Sequence, residues 1–423
     1  MGHEVRVITP DHGHPAAQQA GLPSVSATLN SFGSDETMEI VQASLAPDIP
    51  IHFVRNARYF GRPEVYGMPD DLLRYHFFSH AAFLAPKLLD WRPDIIHCND
   101  WHTALIPFGL QNHAWNDAFY QGIASILTIH NLAYRGPDDL SDVLSQGIFY
   151  ADAVSTVSQT YAREITTPEY GQGLERLLQL RHDRLYGIVN GLDVELYDPA
   201  TDPSLVAHYD AEHPDGKAEN KRALQQVVGL ATNADRPLAG AVVRLEYQKG
   251  IDLLAQVMER AVTELGMQFV VLGTGDLTLQ QQLQEATARH PDAAKVVIGF
   301  NLKLAQQIYG GADLFLMPSR FEPCGLGQLI AMRYGTVPVV RRTGGLADTV
   351  QHVSDDLGSG TGFVFEHYTP EGLYWALGRA AESFHQREAW AELRRRCMVQ
   401  DYSWDVSARQ YGQMYREVLG DKG

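Results

Sequence analysis

Cysteine is scarce in this chain: Cys98, Cys324 and Cys397 are the only three among 423 residues. Their irregular spacing makes neither a disulfide framework nor a cysteine-based zinc site, and a reducing compartment suits them best. Long apolar runs are also missing. No stretch reaches the ~18 apolar residues of a membrane span, and the opening MGHEVRVITPD has no apolar signal core. A cytoplasmic protein is expected. Positive charge is in short supply, with 34 Lys and Arg against 51 Asp and Glu and a net charge of −17. That balance excludes nucleic acid and an anionic membrane as main partners. A phosphate compound would have to be held by a few local cations. No two aspartates are separated by a single residue, so the Asp-x-Asp device for metal-bound nucleotide sugars is lacking. His97, Cys98, Asp100 and His102 match no regular zinc spacing. No metal or other cofactor is expected.

What the chain has in quantity is short Val, Ile and Leu runs separated by amphipathic helical stretches. The runs are VRVI (5–8), DIIH (94–97), SILTIH (125–130), AVSTV (153–157), GIVN (187–190) and LAGAVV (238–243), then FVVLG (269–273), VVIG (296–299), DLFLMP (313–318) and VPVV (337–340). Near-continuous apolar strands alternating with helices predict an α/β protein with parallel sheets covered on both faces. The alternating segments 37–45 and 49–54 predict an antiparallel hairpin inserted on the first sheet. A polar stretch, 198–221, divides the strands into two sets. The predicted domains are 1–197, a linker 198–221, 222–400, and a C-terminal helix within 401–423.

Ligands of open parallel sheets bind beyond the carboxyl ends of the strands, and the polar residues collect there. DIIH leads to Asp100, SILTIH to His130 and Asn131, GIVN ends in Asn190, and LAGAVV runs into Arg244. FVVLG ends at Gly273 and opens into Thr274 and Gly275, and DLFLMP opens into Ser319–Glu322. Arg244 and Lys249, beside the turn at Gly250, suit a diphosphate; two solvated surface cations are the alternative. Gly325, Leu326 and Gly327 open a helix whose free N–H groups and dipole point at an anion. Glu322 then sits just before that anion site, able to accept hydrogen bonds from hydroxyls. Cys324 reads either as a nucleophile or as a small residue packed under the loop, and His130 either as a core histidine or as a ligand contact.

The ordered set HCNDWHTALIP, TIHNLAYRG, ADAVSTVSQTYAREI, YGIVNGLD, RLEYQKGIDLL, VLGTGD, MPSRFEPCGLGQL and YGTVPVVRRTGGLADTV resembles the bacterial glycogen synthase and plant starch synthase family. The resemblance implies a GT-B-type fold: two Rossmann-like doubly wound domains facing a deep cleft, with a C-terminal helix crossing back to the first. It implies retaining transfer of glucose from ADP-glucose to the non-reducing end of an α-1,4-glucan. By resemblance, Arg244 and Lys249 neutralise the departing diphosphate and Gly325–Gly327 cap it, with Gly273, Thr274, Gly275 and Cys324 also lining the nucleotide-sugar site. Glu322 holds the glucose hydroxyls, while His130, Asn131, Asp100 and Asn190 line the sugar and acceptor side. The same resemblance implies that catalysis rests on Glu322, His130, Asp100, Arg244 and Lys249. A UDP-glucose user of the same fold and a non-catalytic glucan-binding relative are the rival readings, and the sequence does not specify an oligomeric state.

Two departures stand out. The family begins with a strand, a Lys-x-Gly-Gly-Leu loop and a helix ahead of the segment matching GHEVRVITP, and this chain starts at that segment. In a Rossmann-type order that strand is central, and its loss leaves two strand edges unpaired at about 1–3 kcal/mol per unmet group. The expectation is a natural start upstream. Ile330 also stands where many related glycosyltransferases place a ribose-holding glutamate.

Overall fold

A computed structural model describes residues 2–113, 116–136 and 143–420. The chain forms two compact units. The first comprises residues 1–157, 162–188 and 410–423, and the second 158–161 and 189–409. Residues 198–221 therefore count with the second unit, and a helix, Gly216–Val228, already occupies the end of that stretch. Residues 421–423 of the expected C-terminal helix lie outside the described residues.

The first unit carries two separate four-stranded sheets. One consists of β1 (Val7–Pro10), β2 (Ser24–Ser31), β3 (Ser34–Ala46) and β4 (Ile49–Arg55), in the order β1-β4-β3-β2. β2, β3 and β4 form an antiparallel meander, one strand more than the predicted hairpin, and β4 runs parallel to β1. β2 alternates exposed and covered positions as a one-faced strand must. The other sheet consists of β5 (Ile95–Asn99), β6 (Ala124–Ile129), β7 (Ala153–Thr156) and β8 (Leu185–Gly187), all parallel and in sequence order. β6 and β7 are buried at every position, as expected of two-faced strands, whereas the end strands β1 and β5 are mostly half-buried. Among the described residues, no ladder joins β1 to β5.

The second unit has one six-stranded parallel sheet. Its strands are β9 (Leu238–Val242), β10 (Gln268–Gly273), β11 (Ala294–Ile298), β12 (Leu314–Met317), β13 (Val337–Arg341) and β14 (Phe363–Phe365). Their order is β11-β10-β9-β12-β13-β14, which reverses direction at β9. Helices such as Ile251–Glu264 pack Leu254, Val257 and Met258 onto it, and these residues share one core with Phe269, Phe315 and Val339. The last helix, Trp404–Gly420, gives residues up to Arg409 to the second unit and those from Gln410 to the first. In the first unit its Met414 and Val418 pack on Ala124, Ile126, Ala153 and Ile188. None of the described helices is long and apolar enough to cross a membrane.

Candidate active site

In the second unit the strand ends around the order reversal bring several predicted residues together. The chain leaves β9 through Arg244 and Leu245, and the Leu245 N–H donates to the Thr274 carbonyl at 2.9 Å. Leu245 also bridges Gly275, so the Arg244 and Gly273–Gly275 segments are neighbours. Lys249 follows in a short 3-10 turn that ends at Gly250. Gly250 has φ +70°, and a Cβ there would lie 2.0 Å from the Pro318 carbonyl oxygen. Only glycine allows this approach, and the approach brings Lys249 to the segment after β12.

There Lys249 Nζ donates to both oxygens of Glu322, at 2.9 and 2.7 Å, and Ser319 Oγ donates to the same carboxylate at 3.0 Å. Glu322 is only 4% exposed. A buried carboxylate needs such partners, because burial of an unpaired charge is costly. The cation that makes an acid tenable in this apolar stretch comes from 73 residues away.

Arg244 differs from its expected partner Lys249: its guanidinium is half-exposed and donates to Glu246 Oε1 at 2.9 Å. The helix after the glycine loop is also shorter than a strong dipole requires, seven residues from Gly327 to Arg333, with no side-chain cap. What the loop offers an anion is therefore its backbone N–H groups near Gly325, φ +74°, rather than a long helix dipole. Leu326 is exposed there, while Ile330 is buried.

Cys324 is not built as a nucleophile. It is 6% exposed, burial pushes its thiol up to about 12, and the backbone N–H of Asn190 is beside it. At neutral pH it is a protonated, packed group, and Asn190 is thereby placed against the underside of the loop.

The sequence did not mark what supports this loop. Gly344 and Gly345 pack directly beneath it: a Cβ on either would lie 1.9 Å from the carbonyl oxygen of Glu322 or Cys324. Gly345 N–H also donates to the Glu322 carbonyl at 3.0 Å. Adjacent glycines after a strand were the available signal. Gln328, fully buried, donates through its side-chain amide to the carbonyls of Cys324 and Gly325. Phe300 was also missed. It follows Gly299, whose N–H donates to the Gly273 carbonyl, and its ring is 84% exposed at that strand end.

A second constellation lies in the first unit, at the ends of β5 and β6. Asp100 adopts φ 55° and ψ −173°, strained for a residue with a Cβ. Its Oδ1 accepts the His130 backbone N–H at 2.8 Å, and the Asn131 N–H also points to this carboxylate. Burial pushes the Asp100 carboxyl up, opposed by His130 and these two N–H groups. Asp100 thus spends its carboxylate on holding the His130–Asn131 backbone. His130 Nε2 is 3.0 Å from Asn99 Oδ1. His97 lies deeper, with both ring nitrogens engaged, by Tyr415 and Thr128, and burial lowers it to about 4. Among the described residues no group of three or more His, Cys, Asp and Glu side chains could hold a metal ion.

Residues 1–180 match the family described as the starch synthase catalytic domain, and residues 236–383 match glycosyl transferases group 1. A curated glycogen synthase of Geotalea daltonii is 42% identical over 100% of this chain and 93% of its own length. The chain belongs to the glycogen synthase and starch synthase family. It is a glycosyltransferase of the GT-B fold, and its activity is of the glycogen synthase type. The catalytic domain of starch synthase IV from Arabidopsis thaliana, solved bound to ADP and acarbose, superposes with a TM-score of 0.87. It is 32% identical, covering 99% of this chain and 93% of that one. A sucrose-phosphate synthase of Thermosynechococcus elongatus, TM-score 0.64 at 17% identity, shares the fold alone.

Proposed function

We propose that this protein transfers glucose from ADP-glucose to the non-reducing end of an α-1,4-glucan, with retention at the anomeric carbon. The observation that carries the reading is the Lys249–Glu322 pair set beside the Gly325–Gly327 loop. An ammonium has three donors, and Glu322 takes two of them, so a third remains for a diphosphate oxygen. Arg244 and the loop N–H groups add to that charge, and in this reading they supply what a metal would otherwise provide. As the bond from C1 to the diphosphate breaks, negative charge develops on the leaving oxygen. Fixed donors at that point stabilise the transition state more than the ground state.

Glu322, with its charge fixed by Lys249, accepts hydrogen bonds from glucose hydroxyls. The exposed Phe300 ring beside Gly273 offers a stacking face for the adenine base. His130 and Asn131, held by Asp100, contact sugar hydroxyls. The acceptor 4-hydroxyl forms the new bond to C1, and its proton leaves with the diphosphate oxygen. The starch synthase IV structure with ADP and acarbose supports both the nucleotide and the glucan side of this reading. The test is glucose incorporation into glycogen with ADP-glucose and UDP-glucose compared. Preference for ADP-glucose is expected, and transfer from UDP-glucose alone would overturn the donor assignment.

A further inference from the structure

We propose that Asn99 is a positioning residue that fixes the tautomer of His130, keeping the ring proton on Nε2 and leaving Nδ1 as a hydrogen-bond acceptor. The inference rests on the reading that His130 contacts a sugar hydroxyl. Asn99 is the last residue of β5, and its backbone is held from both sides by one side chain. The Asn99 N–H donates to Thr103 Oγ1 at 2.6 Å, and that hydroxyl donates back to the Asn99 carbonyl at 2.9 Å. The side-chain oxygen of Asn99 is thereby set 3.0 Å from His130 Nε2. An amide oxygen only accepts, so the imidazole nitrogen facing it must carry the proton. Asp100 fixes the backbone of the same histidine through its N–H at 2.8 Å. Two consecutive residues thus pin ring and backbone separately, and the strained φ of Asp100 permits both at once.

Among the described residues, the titratable groups whose charges act on His130 are Asp100, in the loop after β5, and His97 on β5. His97 is closed off by Tyr415 and Thr128 and stays neutral at working pH. A neutral His130 with a bare Nδ1 can accept from a sugar hydroxyl, and its protonated form cannot. Asn99 therefore matters to binding through a proton that it does not itself exchange.

The experiment is a pH titration of the full chain by long-range proton–nitrogen NMR with labelled histidine, using His130→Gln to assign the signal. Alongside it, kcat/KM for ADP-glucose is followed across pH. The wild-type ring is expected as the Nε2–H tautomer, a result that needs no variant to fold. Asn99→Asp puts a carboxylate on the protonated nitrogen and is expected to raise the His130 midpoint by on the order of one pH unit, with the acid limb of kcat/KM moving equally. Asn99→Ala is expected to populate both tautomers and lower kcat/KM roughly tenfold without moving the limb. A wild-type proton on Nδ1, or an unmoved midpoint in Asn99→Asp, overturns the proposal. Absence of any transfer from ADP-glucose would instead defeat the functional reading, while the NMR titration still decides the tautomer.

Discussion

Replacing Lys249 by methionine tests the pair at the centre of the site. Methionine keeps the length of the stem and removes the cation. Glu322, whose side chain is 6% exposed, would retain only the Ser319 hydroxyl at 3.0 Å. Removing one partner of a buried ion pair costs about 3–5 kcal/mol, and the 17% exposure of Lys249 puts this case near the lower end. For a unit of roughly 200 residues each kcal/mol lowers Tm by about 2–4 °C, so a fall of about 6–12 °C is expected by calorimetry. Glu322→Gln on that background keeps the size of the side chain and discards the stranded charge. The double variant should recover most of the lost Tm, a coupling of about 1–3 kcal/mol. Transfer activity should not recover. Each single variant and the double should lose at least a hundredfold in kcat/KM, the usual loss when one transition-state donor is removed. A double variant as unstable as Lys249→Met, or one with activity restored, would refute the reasoning.

Three further outcomes follow from the same structure. Because β1 and β5 end their sheets half-buried, calorimetry should show two transitions, the lower one belonging to the first unit; a single transition with equal calorimetric and van't Hoff enthalpies would contradict this. His97 is lowered to about 4 by burial, so it costs nothing above the ordinary histidine range, and its neutral form opposes protonation as pH falls from about 6.5 to about 4. Stability is therefore lost across that window, and His97→Gln should flatten the fall of Tm with pH; an unchanged slope would remove His97 from the account. Phe300→Ala should leave Tm within a degree or two but raise KM for the donor roughly tenfold, the scale of one lost base stack. An unchanged KM would show that the exposed ring has another use.

Much of this protein was legible in its sequence because parallel strands buried on both faces are apolar throughout. β6, β9, β10, β12 and β13 fall within one or two residues of the runs that announced them. β2 was not foreseen, since its SVSATLNS has small and polar residues and a face that meets solvent. β14, only three residues long, gave too little pattern, and β8 meets the run that suggested it only at Gly187. Glu322, Lys249 and Arg244 in the second unit, and His130 and Asp100 in the first, could be named as candidates from motif and strand-end position. The contact between Lys249 and Glu322 could not, because it joins two loops 73 residues apart through a glycine that admits a carbonyl. Asp100 was legible as a polar strand-end residue, but its use as a backbone clamp depends on a left-handed φ that no sequence pattern displays. The same holds for Cys324, whose burial decides its chemistry.

Glucosyl transfer from ADP-glucose to an α-glucan is the activity proposed for this fold. The most direct measurement is incorporation of labelled glucose into glycogen, with ADP-glucose and UDP-glucose as competing donors, on protein shown by calorimetry to be folded. Incorporation from ADP-glucose is expected, abolished by Lys249→Met and by Glu322→Gln, with the label released by β-amylase as maltose. Folded protein that incorporates nothing from ADP-glucose, or that transfers equally well without Lys249, would contradict it.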